Sequence, residues 1–431
     1  MALITKHEIE DYWSTKRIIH SPFAGKIMSR NRFQNILSMF HLCNNQHYVP
    51  PGQDGHDPLF KLRHMYDHLR QTFQALFVPY QNVALDETIC GWRGPLRFKI
   101  YIKDKPVSRG IKLYMLTDSN SAVVFDFEVY AMESHISNRP HDVVMRLMAP
   151  LLNKGYRLYV DNYYCAPPLA EALVAEGTMI VGTVRSDRIG LLKRLMNTKL
   201  AKGELDYRRK DNMVALKWRD KRDVTMLSTI HDPTEKVTVI TCYATTEKPV
   251  LVRDYTKYMC GTDRNDQLHA YVPLRRRSLK WWKKLFLHLY TLSLIQAHNL
   301  HNKVLTQQNK RAWGLYKFLV VLGDALCEDY MQKKGEDPAE ATNPEPTAAA
   351  QAIDRLVGKH FPRLLPPIEK KTQPRRACKV CFDRARADPD RDRKSRKRTE
   401  TKHWCNTCKI PLCVDTDCFE VYHTRLDYIT Q

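Results

Sequence analysis

Half of the chain's twelve cysteines lie between Cys378 and Cys418, and this crowding constrains the C-terminus more than any other feature of the sequence. They read Cys378-x2-Cys381, then Cys405-x2-Cys408, then Cys413 and Cys418, with His423 close behind. Thiolate pairs at this spacing suit tetrahedral zinc. A segment of about 50 residues buries little core of its own and needs such a staple. Disulfides are the rival reading. The opening MALITKHEIEDYW lacks the apolar core of a secretion signal, which weighs against them. Seven ligands are clear, and two full sites need eight. Either His403 is the eighth, or one site holds a water or is absent. Spacing does not decide the pairing. The remaining cysteines, Cys43, Cys90, Cys165, Cys242, Cys260 and Cys327, are scattered and read as small buried hydrophobes.

The chain has 431 residues, too many for one compact core, so two or three domains are expected. Lys and Arg outnumber Asp and Glu by 69 to 47, for a net charge of +22. A surplus of that size attracts polyanions and releases counterions on meeting phosphate, so nucleic acid is the expected partner. The basic residues are not gathered on one terminal amphipathic helix, which disfavours an anionic membrane surface. No apolar run has the length of a membrane span. A soluble intracellular protein is expected. Helical pattern starts with the first residues, so the N-terminus reads as shortened or as an alternative start.

Six segments follow from the pattern. Residues 1–79 carry apolar positions at three- and four-residue steps and read as helical. Residues 80–186 alternate strands and helices, with a hairpin formed by IKLYMLTDS and AVVFDFEVYAM, and predict an α/β sheet of mixed direction. Residues 187–255 alternate short strands with basic turns and read as a β-rich insertion. Residues 256–331 return to helix. Residues 332–376 include KKGEDPAEATNPEPTAAA and read as a linker. Residues 377–431 are the cysteine-rich domain.

Within the α/β part, Asp86 sits inside the strand-like VALDET and Asp161 ends the strand LYVDNYY. A carboxylate in an apolar strand is costly unless something offsets its desolvation. A divalent metal does so. Magnesium takes oxygen ligands, commonly one or two carboxylates plus substrate phosphate. Two such ions activate a water and stabilise the leaving oxygen in phosphoryl transfer. Any one Asp could equally cap a strand or accept turn hydrogen bonds, but two on separate core strands weaken that reading. Asp263 and Asp266 are three apart in YMCGTDRNDQLHAY, on one face of a helix. Glu87 would point to the opposite face of its strand from Asp86 and reads as structural, within reach of the ligands' own partners.

LRRRSLKWWKKLF packs Arg275, Arg276, Arg277, Lys280, Lys283 and Lys284 around Trp281 and Trp282. Phosphates want the cations and unstacked bases want aromatic faces. Trp282 also fits a helical stripe with Leu285, Phe286 and Leu289, which makes it core. Lys103, Lys105, Arg109 and Lys112 form a looser basic set. RDRKSRKR, with Arg393, Lys394, Arg396 and Lys397, suits phosphate contact, nuclear import or a solvated loop.

VALDETICGWRG, IKDKPVSRGIKLYMLTD, LYVDNYYCAPPLAEAL, VGTVRSDR, YTKYMCGTDRNDQL and WWKKLFLHLY occur in this order in the piggyBac transposase family, which the chain resembles. The early YWSTKRIIHSPFAGKIMSRNRFQNIL does too. The resemblance covers most of residues 10–305 and the tail. It implies an RNase H-like catalytic core whose Asp–Asp–Asp triad falls on Asp86, Asp161 and Asp263. These would hold two Mg2+ ions, and a further important Asp falls on Asp266. It also implies a helical dimerisation and DNA-binding region at 1–79, a cross-braced, RING-like zinc domain that binds transposon-end DNA, a homodimer on double-stranded DNA with terminal repeats, TTAA target sites and a nuclear location. Water would attack at the transposon end, and the freed 3′ hydroxyl would close a hairpin and later join target DNA. The family's Gly-Val-Asp at the third acid is Gly261-Thr262-Asp263 here, which keeps the carboxylate. Family members also carry an acidic leader before the point where this sequence starts. Two other readings stand beside a transposase. One is a domesticated descendant that binds DNA or chromatin without transposing. The other is a zinc-dependent interaction module, such as a ubiquitin ligase or a histone-tail reader, which leaves the strand acids unexplained.

Overall fold

Strand β1 (Asn82–Gly91) is the spine of the sheet that carries the acids. The structure, a computed structural model, describes residues 3–103, 105, 107–131, 136–240, 245–272, 278–336, 360–367, 372–387, 399–425 and 427–429. The chain divides into two units, Met1–Cys327 and Glu328–Gln431.

In the first unit, β2 (Ile100–Tyr101), β3 (Arg109–Asp118), β4 (Val124–Val129), β5 (Arg157–Val160), β6 (Met179–Thr183), β7 (Leu205–Lys210), β8 (Met213–Arg219) and β9 (Asp223–Ser228) join β1 in one nine-stranded sheet. Its order is β2-β3-β1-β5-β6-β9-β8-β7, with β4 on β3. The pairs β1–β5 and β5–β6 are parallel and the others antiparallel. This is the mixed α/β sheet the sequence predicts. The strands β7 to β9 of the β-rich segment 187–255 continue the same sheet. A separate hairpin follows, β10 (Lys236–Ile240) with β11 (Thr245–Pro249).

The two faces of β1 pack differently, because side chains alternate along a strand. Val83 and Leu85 join a core with α4 (Pro140–Met148) and α5 (Pro167–Ala175), through Val144, Leu147, Leu169 and Leu173. Cys90 joins a second core with α3 (Arg63–Leu76) and α9 (Trp281–Gln307), through Phe73, Leu285 and Leu289. Asp86 and Thr88 lie on this second side, below α7 (Val250–Tyr258) and α8 (Gly261–Ala270). No described helix is long and apolar enough to cross a membrane.

Residues 1–79 hold three helices joined by loops: α1 (Pro22–Ile27), α2 (Arg30–Met39) and α3. Neither α1 nor α2 buries a side chain fully. Of these three, α3 is the one that a described ion pair ties to the sheet. The Nε and Nη2 of Arg70 donate to the two carboxylate oxygens of Asp126 on β4, each at 2.7 Å, and Asp126 is 1% exposed. Removing one partner of such a buried pair strands the other, at a cost of about 3–5 kcal/mol. Asp126→Ala is therefore expected to lower unfolding stability by about that much in urea titrations followed by circular dichroism. Short α6 (Lys193–Asn197) and long α10 (Leu315–Glu336), which runs past the boundary at Cys327, complete the helices described ahead of the cysteine-rich segment.

The second unit has two small sheets. One joins β12 (Pro362–Leu364), β15 (His403–Cys405) and β16 (Ile410–Pro411); the other joins β13 (Arg376–Ala377) and β14 (Glu400–Thr401). Among the described residues two helices accompany them, α11 (Lys379–Ala387) and α12 (Cys418–Thr424). Cysteine sulfurs make up much of the core, with Val380, Leu412 and Tyr422.

Candidate active site and zinc centres

Strand β5 stops at Val160, which pairs with Leu85 of β1. Beyond that point β1 runs on without a neighbour on that side. Asp86 is the first residue of this open edge, and Asp161 is the first residue past the end of β5. Two carboxylates thus flank one strand terminus, and Asp86 feels the charge of Asp161. Asp86 Oδ1 accepts from Glu87 N at 2.8 Å, and Asp161 Oδ1 from Tyr163 N at 3.0 Å.

The third and fourth acids arrive on α8, and the local sequence explains how. A Cβ on Gly261 would lie 2.3 Å from Thr117 Oγ1, so only glycine lets the helix start this close to β3. The guanidinium of Arg264 donates to the carbonyls of Ser119 and Asn120, and Asn265 Nδ2 to that of Ala122, at 3.4 Å. Asp266 Oδ1 accepts from Thr88 Oγ1 at 2.6 Å, which pins α8 to β1 two residues beyond Asp86. Asp263, in the first turn, is left exposed. Asp263, Asp266, Thr88, Lys105, Lys284 and His288 border one cavity of about 630 Å³.

Burial and mutual repulsion raise these carboxyls, and a bound cation would relieve both. Burial, with Glu87 and Asp161 adding repulsion, pushes Asp86 up to about 7, against the pull of Lys105. Burial raises Asp161 too, and Glu87 is the charge that raises it most. Asp266 is pushed up to about 6, by burial first and then by Asp263. Asp86 must shed a proton to bind metal. Magnesium affinity is therefore expected to fall by up to about tenfold per pH unit below about 7. A carboxyl whose pKa rises on folding stabilises the fold below its unfolded range, and that contribution is lost as pH climbs through about 7. The melting temperature of metal-free protein should accordingly drop over this range, and magnesium should restore it most at the alkaline end. Calorimetry and melts at about pH 6 and about pH 8 check both.

Hard carboxylate oxygens are the right donors for magnesium. They do not close on a point, however. Among the described residues, the groups of three or more potential ligands with donor atoms within 4.8 Å of one another all lie in the second unit. Sites that share their ions with substrate phosphate need less convergence than a closed cage.

Those groups are Cys378, Cys381, Cys413 and Cys418, and His360, Cys405, Cys408 and His423. Ligands alternate between the two groups along the chain, so the groups brace each other. The histidine that completes the second group is His360, not His403. The backbone of His403 pairs with Leu364 in the sheet, and it belongs to neither group. Tetrahedral zinc with roughly 2.3 Å bonds puts sulfurs roughly 3.8 Å apart. Cys381 Sγ lies 4.0 Å from Cys413 Sγ and 3.5 Å from Cys418 Sγ, too far for a disulfide. His360 Nδ1 is 3.4 Å from both Cys405 Sγ and Cys408 Sγ, and His423 Nε2 is 3.5 Å from Cys408 Sγ. His423 Nδ1 bonds Phe419 O at 2.7 Å, which leaves Nε2 for a metal. Burial, then the neighbouring sulfurs, pushes Cys413 up to about 11 and Cys418 up to about 12, so four thiolates need a cation among them.

The other basic candidates scatter. Lys280 and Lys103 are exposed. Lys283 Nζ donates to Leu37 O at 2.6 Å, tying α9 to α2. Trp282 stacks on Phe40 at 5.9 Å and is half-buried, closer to core than to a free platform. Arg275, Arg276, Arg277, Arg393, Lys394, Arg396 and Lys397 lie outside the described residues. Sequence reasoning missed His360, which stands far from the cysteine spacing.

Comparison with known proteins places this geometry. The family described as Transposase IS4 matches residues 1–298. PiggyBac transposable element-derived protein 3 of Homo sapiens is 25% identical over 96% of this chain and 66% of its own length. PiggyBac transposable element-derived protein 2 of Homo sapiens is 23% identical over 67% of this chain and 51% of its own length. The chain thus spans just under two thirds of the first relative and about half of the second. A piggyBac transposase, solved as a synaptic complex with hairpin DNA, shares the fold with a TM-score of 0.67, at 20% identity, over 93% of this chain and 80% of that one. The chain belongs to the Transposase IS4 family, in its piggyBac-type branch.

Proposed function

We propose that the chain is a piggyBac-type DNA transposase that cuts and rejoins strands at TTAA sites, as a homodimer on transposon ends in the nucleus. One observation carries the reading: Asp86 and Asp161 flank the point where β5 ends beside the open edge of β1, Thr88 ties α8 to that strand through Asp266, and Lys105 feels the charges of Asp86, Asp263 and Asp266 together. Asp86, Asp161 and Asp263 would hold two magnesium ions, which when bound activate a water and stabilise the leaving oxygen. Asp266 fixes α8 through Thr88. Lys105 and Lys284 border the cavity and suit a phosphate backbone. In the sequence, the basic run 275–277, with Lys280, Lys283 and Lys103, and the run 393–397 offer further cations for phosphate. Zinc is structural in the second unit, which would grip the terminal repeat. The structural neighbour was solved with hairpin DNA, which supports the partner.

A second reading, end binding without cutting, draws on the acids' failure to converge within 4.8 Å. A donor plasmid separates the two. A TTAA-flanked segment interrupts a reporter, and the chain is expressed beside it. Restored reporter with an intact single TTAA supports the transposase. Stable protein that occupies the ends but never restores the reporter would favour the binder.

A further inference from the structure

Lys112 is placed oddly for a surface cation. It sits in β3 opposite Ile89 of β1, on the sheet face that carries Glu87 and Tyr114. It is 7% exposed. A buried ammonium normally finds acceptors. Among the described residues Lys112 Nζ has no hydrogen bond and no ion pair. Two rings hold it instead: Nζ lies 4.6 Å from the centroid of Tyr114 and 4.5 Å from that of Tyr163. Ring faces attract a cation and leave its N–H donors unspent. Tyr163 is the link to the acids, because its own N–H donates to Asp161. The charges that Lys112 feels most are those of Glu87, Asp161 and Asp86.

These facts fix a cation beside the carboxylates without using it up. If the carboxylates' charge were taken up by metal, Lys112 would keep its burial and lose its counter-charge. An anion arriving with the metal would restore the balance. The only anion the proposed reaction supplies is the DNA backbone.

We propose that Lys112 takes a non-bridging oxygen of a DNA backbone phosphate next to the carboxylate site, gripping the strand from the Glu87 face of β1. The proposal rests on the reading of the chain as a strand-cleaving protein. It makes Lys112 a substrate-touching residue, whereas a lysine that only neutralises Glu87 would act through the carboxylates.

The test is a cycle between side chain and phosphate in the full chain. Lys112→Met keeps the stem and removes the charge; Lys112→Arg keeps the charge. Each is compared with wild type on a labelled TTAA-flanked end, and on ends carrying one methylphosphonate at each position around the cut. Single-turnover cleavage is read with magnesium and equilibrium binding with calcium. Lys112→Met is expected to slow cleavage of the ordinary end roughly 10²-fold, and Lys112→Arg to recover part of the loss. At one position the methylphosphonate should slow wild type to a similar degree and leave Lys112→Met nearly unchanged, because both remove the same contact. Losses that multiply at every position would overturn the proposal. If Lys112→Met melts early, Lys112→Arg on the same series carries the comparison, since a moved cation should shift or blunt the sensitive position. A wild type that does not cut, yet loses Lys112-dependent affinity at one phosphate, would sink the cleavage reading and leave this contact standing. A wild type whose binding ignores every methylphosphonate would overturn the contact itself.

Discussion

Asp86→Asn is expected to slow single-turnover cleavage of a TTAA-flanked end by at least about 10³-fold, with folding and end binding near those of wild type. Asparagine keeps the shape of the side chain, and its carbonyl can still accept from Glu87 N. It removes the charge that a hard divalent ion needs. Folding should hold, because burial already pushes Asp86 up to about 7 and makes its ionised form unwelcome without metal. End binding should hold as well, because backbone affinity comes from lysines and arginines and one carboxylate fewer reduces repulsion. Glu87→Gln is the control. It removes the neighbouring charge that most raises Asp161, keeps a carbonyl that can still accept from Tyr164 Oη (3.1 Å from the Glu87 carboxylate), and lies on the other face of β1. A loss about as large as that of Asp86→Asn would mean the site is read on the wrong face. A loss under about tenfold for Asp86→Asn would remove Asp86 from the ligand set.

Chelation of zinc is expected to unfold the second unit outright. Structural zinc contributes about 10–16 kcal/mol of folding free energy in small domains. That exceeds what short strands and two brief helices supply by themselves. Elemental analysis should find two zinc ions per chain, one for each Cys/His group. Cys381→Ser should lose one of them with a large fall in the unit's melting temperature. His360→Ala should lose the other, and His403→Ala should lose neither. The reverse outcome for the two histidines would return the eighth ligand to His403. A chelator-treated chain that keeps its far-ultraviolet spectrum and its DNA affinity would show that the unit stands without metal.

Much of this was open to a reading of the chain. Alternation in IKLYMLTDS and AVVFDFEVYAM marks β3 and β4, and the helix PPLAEALVA between two apolar strands marks the parallel β5–β6 crossover. The Cys-x2-Cys pairs mark the zinc unit. What stayed hidden depends on contacts distant in sequence. His360 precedes the first cysteine by 18 positions, across residues with no ligand character, and only the β12–β15 pairing brings it to Cys405. Glu87 was judged from strand alternation alone. That rule gives its face correctly but says nothing of the open edge, where β5 ends and a side chain on either face stays near Asp161. The roles of Gly261, Arg264 and Asn265 in seating α8 were likewise invisible, since their partners lie on β3 and on the turn to β4. Lys112 stood out only as one of a loose basic set that could touch DNA, because composition does not report burial.

The most direct measurement is to locate manganese in the wild-type chain bound to a pre-cleaved transposon end, by anomalous scattering. The account predicts two ions about 3.5–4 Å apart, touched by Asp86, Asp161 and Asp263. A chain that cleaves its end while its ions sit away from these three carboxylates would contradict it.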